Sequence, residues 1–180
     1  ITNTCCGCGV CTKICPKNAI SISFINGFYK AIVDVEKCIN CRLCVKVCAF
    51  NGGVGRAVDD GILYESKSTD TNTLLKSPSG GIVHELLKHY NKENAVYACE
   101  FNYDTDSAIH TINNSGDVDK LSRYQGSKYL QSNFFENIEL ILQKKKGMII
   151  GTPCQIASVS NYLTLKKKRD DFVLIDLICH

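Results

Sequence analysis

Eight of the twelve cysteines in this 180-residue chain fall into two copies of one spacing, Cys-x2-Cys-x2-Cys-x3-Cys. The first copy is Cys5, Cys8, Cys11 and Cys15; the second is Cys38, Cys41, Cys44 and Cys48. A cubane iron–sulfur cluster needs four thiolates converging from different directions. A tight loop with a cysteine at every third position supplies three, and the fourth must come from elsewhere in the chain.

This spacing is the ligand pattern of two-cluster ferredoxins, in which the last cysteine of each motif crosses to the other cluster. The sequence therefore predicts two [4Fe-4S] clusters, one on Cys5, Cys8, Cys11 and Cys48, the other on Cys38, Cys41, Cys44 and Cys15. Pro16 follows the first motif as the bacterial pattern expects, whereas Ala49 follows the second, so one copy is slightly degenerate. Gly7 and Gly9 are expected to let backbone amides approach the cluster sulfurs without side-chain obstruction.

Two plainer readings compete. Repeated Cys-x2-Cys pairs also build structural zinc sites, and abundant cysteine also builds disulfide frameworks. A zinc ribbon needs two pairs for one tetrahedron, while each motif here already offers four sulfurs. Disulfides between cysteines three apart on a tight loop would be badly strained.

A chain of this length holds one ordinary domain, or a cluster module of about 60 residues with part of a second. The formal net charge of +3, with 44% hydrophobic and 22% charged residues, is an ordinary globular balance and implies no nucleic-acid partner. No run approaches the roughly 20 apolar residues that cross a bilayer, so no membrane span is expected. Cluster assembly needs reduced thiols, which makes the cytoplasm the natural compartment. The chain starts without methionine and stops at Cys179-His180, directly after an apolar strand-like run. A fragment, truncated at the C-terminus, is the expectation.

Residues 19–34 form two alternating runs around Asn26-Gly27, a strong hairpin signal, with an apolar face expected to cover the clusters. Residues 51–79 are rich in Gly, Asp, Ser, Thr and Asn and read as a linker with short extended pieces. A helix is then expected at 82–90, capped by Ser79. Strands are expected at 95–101 and 108–112, a helix at 133–146 ending in Lys144-Lys145-Lys146, a buried strand at 147–151, a helix from Pro153 to about Tyr162, and a strand at 172–178. The lysine runs at 144–146 and 166–169 suit an acidic partner or a phosphate, or else solvated helix ends. The fold class expected is thus an α+β ferredoxin-like two-cluster module, residues 1–56, a linker, 57–78, and an incomplete α/β domain with a largely parallel sheet, 79–180.

Gly151-Thr152-Pro153-Cys154-Gln155 sits where a buried strand enters a helix, and Ser79-Gly80-Gly81 begins another helix. Helix N-termini at the carboxyl ends of parallel strands present amides to phosphates. Both segments are therefore candidates for a flavin pyrophosphate, or are merely tight, well-capped turns. Cys154 and Cys179 are each a reactive group, a metal ligand or an inert buried thiol. Cys6 and Cys99 look dispensable.

The order of motifs resembles that of the coenzyme F-420 hydrogenase/dehydrogenase beta subunit family. It runs from the ferredoxin unit through Ser79-Gly80-Gly81, Gly126-Ser127-Lys128-Tyr129 and Gly151-Thr152-Pro153-Cys154-Gln155 to Asp176-Leu177-Ile178-Cys179-His180. The resemblance implies an iron–sulfur flavoprotein oxidoreductase in which FAD, held in part by Ser79, Gly80, Gly81, Gly151, Thr152, Cys154 and Gln155, exchanges a hydride with a deazaflavin or other organic substrate. It also implies a protein subunit that donates or accepts electrons. Its catalytic residues are not identified by these motifs. Family members are typically about twice this length. The rival expectations are an electron-transfer module without its own catalysis, and an accessory protein of polysaccharide biosynthesis associated with pyruvyl transferases.

Overall fold

The computed structural model describes residues 4–51 and 61–178. Asn26 and Gly27 both take positive φ, 51° and 83°. That is the backbone of a type I′ turn, whose twist matches paired strands. The flanking runs accordingly form an antiparallel hairpin, β1 (Ile20–Ile25) with β2 (Phe28–Val33).

Two short helices of matching construction flank the hairpin. α1 (Val10–Ile14) follows Gly9 at φ 70°, and α2 (Leu43–Val47) follows Arg42 at φ 60°. Each helix carries the third cysteine of its motif and ends where the fourth, Cys15 or Cys48, turns extended. The left-handed entry is natural for Gly9 and uncommon for Arg42, which lacks glycine's freedom. Val10, the first residue of α1, and Val47, the last residue of α2, are buried and join the core of the rest of the chain.

The hairpin covers less than expected. Ala19, Ile20 and Ala31 are buried, but Phe24 and Phe28 near the turn are 66% and 58% exposed. The inner end packs; at the turn end Phe24 and Phe28 face solvent, while Tyr29 reaches the body, edge-on to Phe135 at 5.7 Å.

Of the expected linker, residues 57–60 lie outside the described residues, and 61–69 carry no helix or strand. Thr71–Leu75 form a single helical turn, α3, because the Asp70 carboxylate accepts from the amides of Asn72 and Thr73, each at 3.2 Å. α4 (Ile82–Asn91) begins at Gly81, φ 73°, with no side-chain cap, so Ser79 is not the capping residue.

The sheet has the order β4-β3-β5-β6, with β3 (Ala95–Asn102), β4 (Ser107–Asn113), β5 (Gly147–Gly151) and β6 (Phe172–Asp176). β3, β5 and β6 run parallel, while β4 is an antiparallel edge. The sheet is therefore mixed. The Asn102 side chain accepts from the amides of Asp104 and Thr105 and folds the chain back at once, leaving no room for a crossover helix.

The helix expected over 133–146 shrinks to α5 (Ile138–Leu142). Asn133 instead extends the sheet edge: its amide donates to Ala108 O at 2.8 Å and its carbonyl accepts from His110 N at 3.1 Å. Backbone groups committed to a strand cannot start a helix, so helical pairing waits until Ile138. The three lysines consequently lie beyond the helix.

Alternation along the strands builds two cores. On one face Tyr97 and Ile149 meet α5 and α6 (Pro153–Leu165), with Ile156, Val159 and Leu163 fully or nearly buried. On the other, Val96, Met148 and Ile150 meet Leu87 of α4 and Leu121 and Tyr124 of a 3-10 helix at Val118–Tyr124. Because Val10 and Val47 belong to the first core, the cluster motifs are seated directly on α6.

His110 is buried in β4, with Nε2 3.1 Å from Ile150 O and Nδ1 without a partner. Nε2 therefore carries the hydrogen, and burial holds the pKa down to about 4. The unfolded chain takes up this proton near pH 6.5, so the contribution is complete above that pH and is lost as pH falls toward 4. Between pH 7 and pH 4, denaturation should show the wild type losing roughly 3 kcal/mol more than His110→Gln. Equal losses would contradict the assignment.

Candidate iron–sulfur centre

Cys15, Cys38, Cys41 and Cys44 line one cavity of about 80 Å³, walled also by Ala19, Ile20, Val33 and Val45. This is the crossed set: three cysteines from the second motif and the last from the first. Cys38 and Cys41 are exposed, so this cavity opens at the surface. The Ala19 amide donates to Cys15 Sγ at 3.3 Å, and the Asn51 side chain donates to Cys48 Sγ at 3.5 Å. Both fourth cysteines thus receive an N–H···S contact, a feature that tunes cluster potential.

The other set faces inward. Cys8 and Cys11 pack against the core that contains Val10, Val47 and Ile156. Burial pushes the Cys11 thiol up to about 12, with repulsion from Cys8, Cys5, Cys44 and Cys48 adding to it. Burial also raises Cys44, with repulsion from Cys41 and Cys15. Crowded, desolvated thiolates of this kind are untenable without a cation among them. Among the described residues no three His, Cys, Asp or Glu side chains converge on one point as a single metal ion requires. A cubane makes a different demand, one thiolate at each of four separated irons, and the donor chemistry of both sets fits it.

The close approaches at Gly7 and Gly9 also serve the packing of the loop. A Cβ at Gly7 would strike Tyr29 O and the Gln131 side chain, and one at Gly9 would overlap Phe135. These glycines let the loop lie flat on the body of the protein. Gln131 fixes it there, donating to Cys6 O at 2.8 Å and accepting from Tyr29 N at 2.6 Å.

α6 supplies the opposite wall. Ser158, buried on that helix, accepts from Ala49 N at 3.1 Å and hydrogen-bonds the Cys8 sulfur. At its start Thr152 and Gln155 form a reciprocal capping box, with Thr152 N donating to Gln155 Oε1 at 2.9 Å. Gln155 Nε2 also donates to Ser132 Oγ at 3.0 Å. Cys154 is pulled down to about 6, first by a hydrogen bond from Cys6 and then by Thr152. The Cys6 thiol, donating toward Cys154 and Cys8, is raised. Cys6 is therefore no bystander, and Gln131 and Ser158 are also site residues that local sequence did not mark. The adjacent Cys5-Cys6 pair was the one available signal.

The expected flavin segments lie at the same end of the sheet, on opposite faces. α6 follows β5 there, and α4, which runs back before β3, begins there. Neither segment is an open cradle. Gly80 O accepts from Ser68 N at 2.7 Å, and a Cβ at Gly80 would meet Ser66 O at 2.6 Å, so the chain itself fills that turn. The first-turn amides at Thr152 and Gln155 are taken by the capping box. Lys128 Nζ is turned onto the carbonyls of Tyr124 and Gln125. Cys99 is a half-buried strand residue, raised to about 11 by burial. Cys179 and His180 lie outside the described residues; just before them, Leu177 N donates to Gly151 O at 2.9 Å.

A family model described as a 4Fe-4S dicluster domain matches residues 4–51, a span that includes all eight motif cysteines. No curated protein matches the chain. Among solved structures, it is similar to a chain of the F420-reducing [NiFe] hydrogenase complex from Methanosarcina barkeri, solved as a xenon derivative, at 15% identity and TM-score 0.52. The match covers 64% of this chain and 44% of that one, less than half of its length. No helix among the described residues is long and apolar enough to cross a membrane. The chain is thus an iron–sulfur protein, with a 4Fe-4S dicluster domain at residues 4–51 and a fold similar to that of the F420-reducing hydrogenase chain.

Proposed function

We propose that the chain passes single electrons between a protein partner and its own interior through two [4Fe-4S] clusters. Cys15, Cys38, Cys41 and Cys44 hold the outer one; Cys5, Cys8, Cys11 and Cys48 hold the inner one. The observation that carries this reading is the cavity lined by the crossed set. The clusters supply one-electron chemistry, and the protein supplies position and potential. The exposed Cys38 and Cys41 make the outer centre the port for a partner, while Ser158 and the α6 start bind the inner centre to the α/β domain. The partner is an electron-donating or electron-accepting protein subunit.

A second reading adds FAD and hydride exchange with a deazaflavin or other organic substrate. The fold likeness to a chain of an F420-reducing complex favours it. Of the seven residues expected to line a flavin site, Gly151, Thr152, Cys154 and Gln155 sit beside the inner centre, whereas Ser79, Gly80 and Gly81 belong to a turn already filled by residues 66–68.

The two readings separate on anaerobically purified protein mixed with a reduced low-potential ferredoxin. Bleaching of the cluster band, lost when Cys38 is replaced by alanine, is expected for electron entry through the outer centre. Flavin released by acid at about one per polypeptide supports the second reading. Clusters that no ferredoxin reduces would contradict both.

A further inference from the structure

Two cysteines outside the proposed ligand sets are held together beside the inner centre. Cys6 lies in the first cluster loop, and Cys154 opens α6. The loop and the helix end are clamped by one strip of chain. Gln131 donates to Cys6 O at 2.8 Å, the next residue, Ser132, accepts from Gln155 at 3.0 Å, and Gln155 locks the first turn of α6 through Thr152 N. Across that clamp the Cys6 thiol interacts with the thiols of Cys154 and Cys8. Thr152 Oγ1 stands 3.2 Å from Cys154 Sγ, and both thiols are free. Cys8 is a proposed ligand of the inner cluster, so the pair touches the electron path.

We infer that Cys6 and Cys154 form a redox-active dithiol that exchanges two electrons with the inner cluster. On oxidation two S–H bonds break, one S–S bond forms, and two protons pass to water. The two electrons leave one at a time through the inner and outer clusters to an oxidised one-electron carrier protein. In reverse, two electrons from the reduced carrier and two protons from water cleave the disulfide. The pair stores two electrons behind two one-electron centres, the conversion that a one-electron carrier needs before any two-electron chemistry. This assignment rests on the cluster reading above.

The test uses the anaerobic holoprotein, poised at successive potentials with redox-dye mediators, alkylated with N-ethylmaleimide and digested by trypsin without reduction. Cys154 is the only cysteine in its tryptic peptide, residues 147–166. At oxidising poise this peptide is expected joined to the one carrying Cys6; at reducing poise both are alkylated. Reductive titration should take up two more electron equivalents in the wild type than in Cys154→Ser or Cys6→Ser, after subtracting the flavin measured in each. Alkylated Cys154 at every poise, or equal uptake in samples of equal iron content, overturns the inference. So does loss of iron from both serine variants, which would make the pair ligands. Wild-type protein without iron defeats the cluster reading instead, and the peptide masses still decide whether the disulfide forms.

Discussion

Replacing Cys11 with alanine is expected to remove the inner cluster and about half of the iron, from about eight to about four atoms per polypeptide. It should also destabilise the whole chain. Cys11 sits in α1 beside Val10, which is fully buried in the same core as Tyr97, Ile149 and Ile156. Val47, at the end of α2 and next to Cys48, is buried in that core too. Without the cluster, α1 and α2 lose their common anchor while still carrying part of the α/β core. Cys38→Ala makes the contrast: its thiol is exposed, so the outer cluster alone should go, with a much smaller fall in melting temperature. Equal iron in Cys11→Ala and wild type, or equal thermal losses in the two variants, would contradict this picture.

Phe134→Ala should be the most destabilising change outside the cysteines, at roughly 3–5 kcal/mol for an aromatic truncated in a packed core. That is a large share of the roughly 5–15 kcal/mol by which domains are stable. The ring is fully buried and stands edge-on to Tyr97 and His110, with centroids at 5.6 and 4.7 Å. The Phe134 carbonyl accepts from the Tyr97 hydroxyl at 2.6 Å. The neighbouring residues hold the cluster loop, Gln131 through Cys6 O and Phe135 under Gly9. The variant should therefore also lose its cluster absorbance faster in air. Denaturant titration and the rate of visible bleaching measure the two effects. A stability loss below about 1 kcal/mol would show that the cavity collapses at little cost.

The cysteine spacing made the module legible because cluster ligation is a local constraint, written as residue type at fixed intervals. The hairpin was legible for the same reason, since Asn26-Gly27 dictates its own backbone. What escaped was decided by partners far away in the chain. Asn133 reads as a helix start until its backbone pairs with Ala108 and His110, and nothing near Asn133 in sequence announces those carbonyls and amides. Ser79 looks like a cap until the chain at 66–68 is laid over Gly80. Ser158 and Gln131 look like ordinary polar residues, and only folding brings one to Cys8 and the other to the Cys6 carbonyl. Cys6 reads as surplus because the motif counts ligands and says nothing of the thiol that α6 brings to meet it.

Iron, acid-labile sulfide and zinc, measured together on protein purified without oxygen, test the two-cubane reading most directly. About eight iron and about eight sulfide per polypeptide, with a visible band bleached by dithionite, are expected. Stoichiometric zinc, or iron without sulfide, would contradict it.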